Sequence, residues 1–355
     1  MGRGPPIIDF APFYGQDQVA KLKLEGEISR ACLDFGFFQL RNHGIPVDLD
    51  KEILRQSETF FRLPGEIKDK YNKDVGDFNR GYERLRSQNF EKLTEGDLKE
   101  GYFLAKDLPL DDPYVQARKW AQGPNKYPSE VKDPHLWKKT VDEYHFAASQ
   151  LAKNVLSVLF DTLGGGHEFL DEFCEHPIAV LRLLHYPPQD SDASKLERGI
   201  TIPSPSIKRD YAVGNLLTSD SGIGAHTDFG AVTILLQDST GGLQVRDRAT
   251  GEWIDIQPIS DAVVVNTGNL MMCWTNDRYI SNLHRVVNKT GKARYSVAFF
   301  FDGNPDFIVK CLPSCIESGG VAKHAPLTVS EWMEGRYADT FGGLAKKATK
   351  EMVEV

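Results

Sequence analysis

A mainly β core with flanking helices is the fold this sequence predicts, and three observations carry it. After residue 178 come six short runs, "AVLRLLHYP", "AVTILLQDS", "GLQVRDRATGEWIDIQP", "AVVVNTG", "RYISNLHRVVN" and "RYSVAFFFD", rich in β-branched and aromatic residues. Gly, Asp and Asn turns separate them, the pattern of an antiparallel sandwich or barrel whose residues alternate inward and outward. Ahead of them, apolar residues recur at helical spacing in a charged background.

In chain order, "PPIIDF" (5–10) reads as a short strand entered through prolines. Residues 17–35 carry Val19, Leu22, Ile28, Ala31, Cys32 and Phe35 at helical spacing. "FGFFQLRNHGIP" (35–46) is a strand closed by a His-Gly turn and a proline, and a second helix covers about 48–61. Residues 72–135, richer in charge, Gly and Pro, read as loops with short elements. A long helix over 135–163 stops at "GGG" (164–166), and the last thirty residues, from "PLTVSEWMEGRYADTF", are helical again. The expected division is a mostly helical portion over 1–170, a β core over 171–310 and a helical segment over 311–355.

The 355 residues suffice for a large core, and the 41% hydrophobic and 26% charged fractions are those of a globular chain. A net charge of -8 with no dense basic run argues against a nucleic-acid surface. Apolar runs such as "VAFFF" (297–301) are strand-length, far short of a membrane span. The N-terminus lacks the charged and apolar regions of a secretory signal. Five scattered cysteines (Cys32, Cys174, Cys273, Cys311, Cys315) do not make a disulfide framework, and the Asn288-Lys-Thr290 sequon is expected to be incidental. A cytoplasmic protein is the expectation, with a small molecule rather than a nucleic acid or a membrane as partner.

"GIGAHTDFGAVTILLQD" sets His226 and Asp228 two positions apart in front of an apolar run, and His284 follows 56 residues after Asp228 in "NLHRVV". On a strand, residues i and i+2 point the same way, so the first two are expected on one face. Two imidazoles and one carboxylate on a β scaffold match the facial arrangement that holds Fe(II) with coordination positions open. A His-x-Asp pair also arises by chance, and a metal-holding β-barrel without catalysis uses the same residues. Arg294 and Ser296, on one face of "ARYSVAFFF", add weight, because an arginine turned into an apolar core calls for an anion.

Together these residues give the chain its resemblance to the Fe(II)/2-oxoglutarate-dependent dioxygenases of the isopenicillin N synthase-like type. "PIIDF", "ACLDFGFFQLRNHGIP", "LRLLHYPP", "GAHTDFGAVTILLQD", "GGLQV", "VVVNTGNLM", "NLHRVV" and "RYSVAFFF" resemble the family over nearly the whole length, with wording similar to fungal thymine-hydroxylase-like and natural-product-tailoring members. The resemblance implies a double-stranded β-helix (jelly roll), with Fe(II) held by His226, Asp228 and His284. It also implies that Arg294, Ser296 and Tyr186 bind the distal carboxylate of 2-oxoglutarate. Leu184 departs from the asparagine that plant members commonly carry two positions before the tyrosine. The implied reaction uses O2 and 2-oxoglutarate, releases succinate and CO2, and oxidises an unactivated C–H of a small organic molecule in natural-product or small-metabolite metabolism. Hydroxylation is the default outcome; desaturation, ring formation and ring expansion share the same residues.

Alternation gives substrate candidates. If Arg294 and Ser296 face inward, so do Phe300 and Asp302, and Arg182 shares a face with Leu184 and Tyr186. Their rival readings are core packing for Phe300, a turn in "FDGNP" for Asp302 and a structural ion pair for Arg182. Tyr102 and Phe103, in "KEGYFLAKDLP", are expected in a loop bordering the entrance, where loop anchoring is the rival role. Two other readings stay open at the level of sequence: a co-substrate-independent iron oxidase of the same fold, and a non-catalytic β-barrel that binds a ligand or metal.

Overall fold

Runs of Val, Ile, Leu and Phe pair into two sheets that close on one another as a jelly roll, with helices against the outer face of the larger sheet. The computed structural model describes residues 4–76, 78–88, 96–165, 167–189 and 223–340. Its strands are β1 (Ile7–Asp9), β2 (Phe37–Arg41), β3 (Gly81–Glu83), β4 (Glu100–Leu104), β5 (Ile178–Tyr186), β6 (Ile223–His226), β7 (Val232–Gln237), β8 (Leu243–Arg246), β9 (Trp253–Asp255), β10 (Ala262–Thr267), β11 (His284–Val286), β12 (Arg294–Gly303), β13 (Ile308–Val309) and β14 (Leu327–Thr328). The large sheet runs β1-β2-β10-β7-β12-β5-β4-β3 and the small one β6-β11-β8-β9.

β12 shows how pleating sorts side chains. Val297, Phe299 and Phe301 join the helical core on one face, while Arg294, Ser296, Ala298, Phe300 and Asp302 take the other. Between the two sheets lies an inner core of Phe37, Leu184, Tyr186, Ile223, Leu243, Val245, Val264, Val286 and Ala298. Each Val, Leu, Ile or Phe among them contributes about 1.5–3 kcal/mol when removed from water.

The helices follow their signals closely. Asp17 caps the helix Gln18–Asp34 by accepting from Val19 N, and Asp133 caps Pro134–Thr162 by accepting from Leu136 N. The long helix buries Trp137, Val141, Tyr144, Ala148, Leu151 and Val155, a stripe at steps of three and four. Trp137 also donates to Gln56 O at 3.2 Å, tying this helix to Val47–Phe61.

The expected helical portion supplies four strands. β1 and β2 extend one edge of the large sheet and β4 and β3 the other, so this region contributes to both edges of the β core. One local expectation needs correction. In "RYISNLHRVVN" only His284–Val286 is strand, because Asn282 caps the preceding coil by donating to Phe35 O and Arg246 O. After β10, Asn269–Trp274 is a helix whose first turn is set by Asn269 N donating to Asp228 O. The helical segment expected over 311–355 also needs correction: residues 311–328 are coil with a 3-10 turn at Pro313–Cys315 and the strand β14, the helix is Val329–Thr340, and 341–355 lie outside the described residues, as does the loop residue Phe90. No described helix is long and apolar enough to cross a membrane.

Candidate active site

The small sheet brings two histidines side by side. β11 pairs antiparallel with β6 so that His284 stands opposite His226, with ring centroids 4.2 Å apart. β6 ends at His226, and Asp228 lies in the connection that crosses to β7 in the large sheet. The expectation that His226 and Asp228 share a strand face is therefore corrected: the carboxylate comes back to the histidines through a turn. Close backbone approach shapes that turn, since a Cβ on Gly268 would collide with Gly230 O.

The Nε2 atoms of His226 and His284 lie 3.7 and 3.6 Å from Asp228 Oδ1. One donor atom from each of the three residues falls within 4.8 Å of the others. Cis ligands at about 2.1 Å from one ion stand about 3 Å apart, so small side-chain movements let all three reach it.

Partners orient each donor. The carbonyl oxygens of Gly224 and Asn282 can only accept, so His226 Nδ1 and His284 Nδ1 donate to them at 2.8 and 3.1 Å, and each Nε2 lone pair faces Asp228. Asp228 Oδ2 accepts from Thr233 Oγ1 at 2.6 Å and from Asn266 Nδ2 at 2.7 Å, leaving Oδ1 toward the histidines. Phe37 closes one side of the His284 ring, edge-on at 5.1 Å between centroids. Burial and the neighbouring His284 hold His226 below the usual imidazole range. Burial works against the Asp228 carboxylate, but both histidines and its two hydrogen bonds outweigh it, so its carboxyl lies below the ordinary value. The site thus offers a neutral His226 imidazole and an ionised Asp228 carboxylate, the donor types a divalent first-row metal takes.

Thr233 and Asn266 escaped the sequence reading. The available signal was a polar side chain inside each apolar run, "AVTILLQ" and "AVVVNTG". Thr233→Val and Asn266→Ala each remove one restraint on Asp228. Either change is expected to weaken metal binding about 10- to 100-fold with the fold retained. Titration with Fe(II) or Mn(II) measures this, and unchanged affinity in both variants means that these bonds do not orient the carboxylate.

A second cluster lies further along β5 and β12, where Arg294 pairs with Tyr186 and Ser296 with Leu184. Arg294 is fully buried. It donates through Nε to Gly241 O (2.6 Å), through Nη1 to Ser296 Oγ (3.0 Å) and through Nη2 to Gln237 Oε1 (3.0 Å), and its guanidinium lies 4.6 Å from the Tyr186 ring centroid. No carboxylate pairs with it among the described residues. Burial raises the Tyr186 hydroxyl above its ordinary value despite the opposing Arg294 charge. A guanidinium carries five N–H donors, and a buried one without a counter-ion fits a carboxylate-bearing co-substrate. Leu184 is buried in the inner core beside this cluster and offers an apolar surface where an amide would hydrogen-bond.

From His226 and Asp228 a cavity opens, lined by Gln88, Arg182, Leu184, Ile223, His226 to Gly230, Phe300, Asp302, Met333 and Tyr337. Its empty space, counted together with the open solvent at its mouth, is about 590 Å³. Phe300 and Asp302 both line it, and Asp302 is 2% exposed within β12 rather than part of a turn. Burial, with the Asp228 charge adding, pushes the Asp302 carboxyl up to about 8.

Arg182 reconciles its two readings. It lines the cavity, yet its Nη2 also donates to Glu83 Oε2 at 2.6 Å and Gln88 Oε1 at 3.1 Å. Lys99 Nζ meets the same Glu83 oxygen at 2.9 Å. Burial works to raise the Glu83 carboxyl, but Lys99 and Arg182 outweigh it and hold it at about 2.

Tyr102 and Phe103 do not border the entrance. Both lie in β4, buried, because "EGYFL" pairs β5 to β3. Tyr102 turns to the helical core, donating to Lys126 O and meeting Phe60 and Trp137 edge-on. Phe103 underlies Arg182, whose guanidinium is 4.3 Å from its ring centroid. Met333 and Tyr337 in the helix Val329–Thr340 were missed as cavity residues; their i, i+4 spacing places both on one side. Trp332 Nε1 fastens that helix by donating to Phe229 O at 2.8 Å.

The jelly roll, the paired histidines with their carboxylate and the buried arginine define a non-haem iron oxygenase. This chain belongs to the 2-oxoglutarate/Fe(II) oxygenase family. Residues 5–130 match the "non-haem dioxygenase in morphine synthesis N-terminal" family and residues 177–303 the "2OG-Fe(II) oxygenase superfamily". The chain is 44% identical to the 2-oxoglutarate-Fe(II) type oxidoreductase hxnY of Emericella nidulans, over 99% of this chain and 94% of that one. It is 35% identical to the clavatol oxidase claD of Penicillium crustosum, over 95% and 96% respectively. The structure resembles that of a full-length Neurospora crassa protein solved in complex with alpha-KG and thymine, with 28% identity and a TM-score of 0.78 over 94% of this chain and 96% of that one. The protein is accordingly an Fe(II)/2-oxoglutarate-dependent dioxygenase with Fe(II), 2-oxoglutarate and O2 as its cofactor and co-substrates, and it acts on a small organic molecule.

Proposed function

We propose that His226, Asp228 and His284 hold the iron, that Arg294 and Ser296 with Tyr186 take the distal carboxylate of 2-oxoglutarate, and that the adjoining cavity receives the substrate. The observation that carries this reading is the cavity wall itself, in which His226 and Asp228 stand beside Arg182, Phe300 and Asp302. When bound, iron and 2-oxoglutarate supply the oxidising power by coupling O2 reduction to decarboxylation, with release of succinate and CO2. The chain's own work is placement. Phe300 offers a ring face, Arg182 retains donors toward an acceptor, and Leu184, Ile223 and Met333 keep water away from the reacting C–H.

Hydroxylation of an unactivated C–H is the proposed outcome, with desaturation or ring chemistry using the same residues. The names of the clavatol oxidase and of the thymine complex support a small organic substrate. A place in natural-product or small-metabolite metabolism fits the same relatives, and five free cysteines support a reducing, cytoplasmic location.

The test is anaerobic addition of Fe(II) and 2-oxoglutarate, followed by O2 with and without a small-molecule library. A weak visible charge-transfer band and library-dependent succinate are expected. Iron binding without a band points to a co-substrate-independent oxidase, and no iron binding overturns the site.

A further inference from the structure

Asp302 carries a feature that iron and 2-oxoglutarate leave unexplained. Asp302 lines the cavity, and its Oδ1 is buried with no hydrogen-bond partner among the described residues. No lysine, arginine or histidine pairs with it there. The backbone makes room for it: a Cβ on Gly230 would collide with Asp302 Oδ1, so only glycine at position 230 admits the carboxyl in this place. A buried polar group left without a partner destabilises the resting protein, and where it lines a cavity a ligand can relieve that cost. Two residues earlier on the same inward row, Phe300 offers a ring to stack against, and Arg182 stands across from Ala298 further along that row.

We infer that Asp302 receives a hydrogen-bond donor of the substrate, an N–H or O–H on a small ring compound, and so fixes which C–H is presented for oxidation. This rests on the reading of the cavity as the substrate site. Arg182 takes an acceptor on the same molecule, so a donor and an acceptor together set its orientation. Asp302 is a specificity residue in this scheme and makes no bond in the oxidation itself.

The experiment is calorimetric titration of the anaerobic enzyme, loaded with Fe(II) and 2-oxoglutarate, with matched probes: 2-pyridone against N-methyl-2-pyridone, phenol against anisole, and benzyl alcohol against benzyl methyl ether. In each pair methylation removes the donor and keeps the ring. The expected result is a preference of about tenfold or more for the uncapped member of at least one pair. In Asp302→Leu the preference falls below about threefold, and Asp302→Asn, which keeps one acceptor oxygen, falls between. The 2-oxoglutarate charge-transfer band should persist in both variants; if Asp302→Leu loses it through misfolding, Asp302→Asn carries the comparison. Equal binding of capped and uncapped probes, no binding of any uncapped probe, or an undiminished preference in the variant with an intact band overturns the assignment. Absence of the band in the unmodified enzyme fails the wider reading of the site instead.

Discussion

His226→Ala is expected to abolish metal-dependent turnover while leaving the chain folded. The ring is held by a hydrogen bond from Nδ1 to Gly224 O, and its other nitrogen is directed at Asp228 rather than into the core. Removing it therefore costs the fold about the net worth of one hydrogen bond, roughly 1 kcal/mol, while the metal loses one of three protein donors. Structural zinc sites with four ligands bind with about 10–16 kcal/mol, or roughly 3 kcal/mol per ligand, so affinity should fall by two orders of magnitude or more. Two measurements separate the site from the fold. In the unmodified enzyme Mn(II) at about 100 times its Kd should stabilise by about 2.7 kcal/mol, raising Tm. The variant should unfold near the metal-free temperature and show no such rise. Succinate formation should drop to background at Fe(II) levels that saturate the unmodified enzyme. Full turnover by the variant, or an undiminished Mn(II) shift, would remove His226 from the metal site.

Elements with a local period were legible in the sequence, and contacts made across long separations were not. The alternation Arg294, Ser296, Ala298, Phe300, Asp302 could be read directly because a pleated strand fixes side-chain direction every second residue. The helix Gln18–Asp34 announced itself through apolar residues at helical spacing, and Pro134–Thr162 through the glycines that stop it. Asp228 could not be placed in the same way, because its position depends on where β6 stops and how the chain crosses between sheets. The segment Glu100–Leu104 was read as a loop from its charged, glycine-bearing surroundings. Pairing with both β3 and β5 makes it an interior strand, and its β5 partners lie about eighty positions away in the chain. Met333 and Tyr337 reach the cavity only because their helix is fastened at Trp332 to Phe229, a contact over 103 residues. Such docking leaves no periodic trace in the sequence.

Arg294→Ala is expected to weaken 2-oxoglutarate far more than iron. Three of the guanidinium's nitrogens are held by Gly241, Ser296 and Gln237, so its orientation is fixed before any ligand arrives. Because Nη1 and Nη2 each carry two hydrogens, the two bonds they already make leave one N–H on each, a fork suited to a carboxylate. Truncating one partner of a buried, hydrogen-bonded charge pair costs about 2–5 kcal/mol, which corresponds to roughly 30- to several-thousand-fold in affinity. Arg294→Lys keeps the charge and loses the fork and the stacking on Tyr186, so it should fall between. The control that gives this result meaning is 2-oxobutyrate, which has the same keto acid end and no distal carboxylate. In the unmodified enzyme 2-oxoglutarate should bind much more tightly than 2-oxobutyrate; in Arg294→Ala the two should bind alike, with 2-oxobutyrate little changed. Mn(II) affinity should stay within a few-fold, because the arginine touches none of His226, Asp228 or His284. If 2-oxoglutarate keeps its advantage in the variant, the distal carboxylate is held elsewhere and Arg294 has no part in co-substrate binding. If both keto acids and the metal weaken together, the substitution has disturbed β12 as a whole, and Arg294→Lys then decides between a recognition role and a structural one.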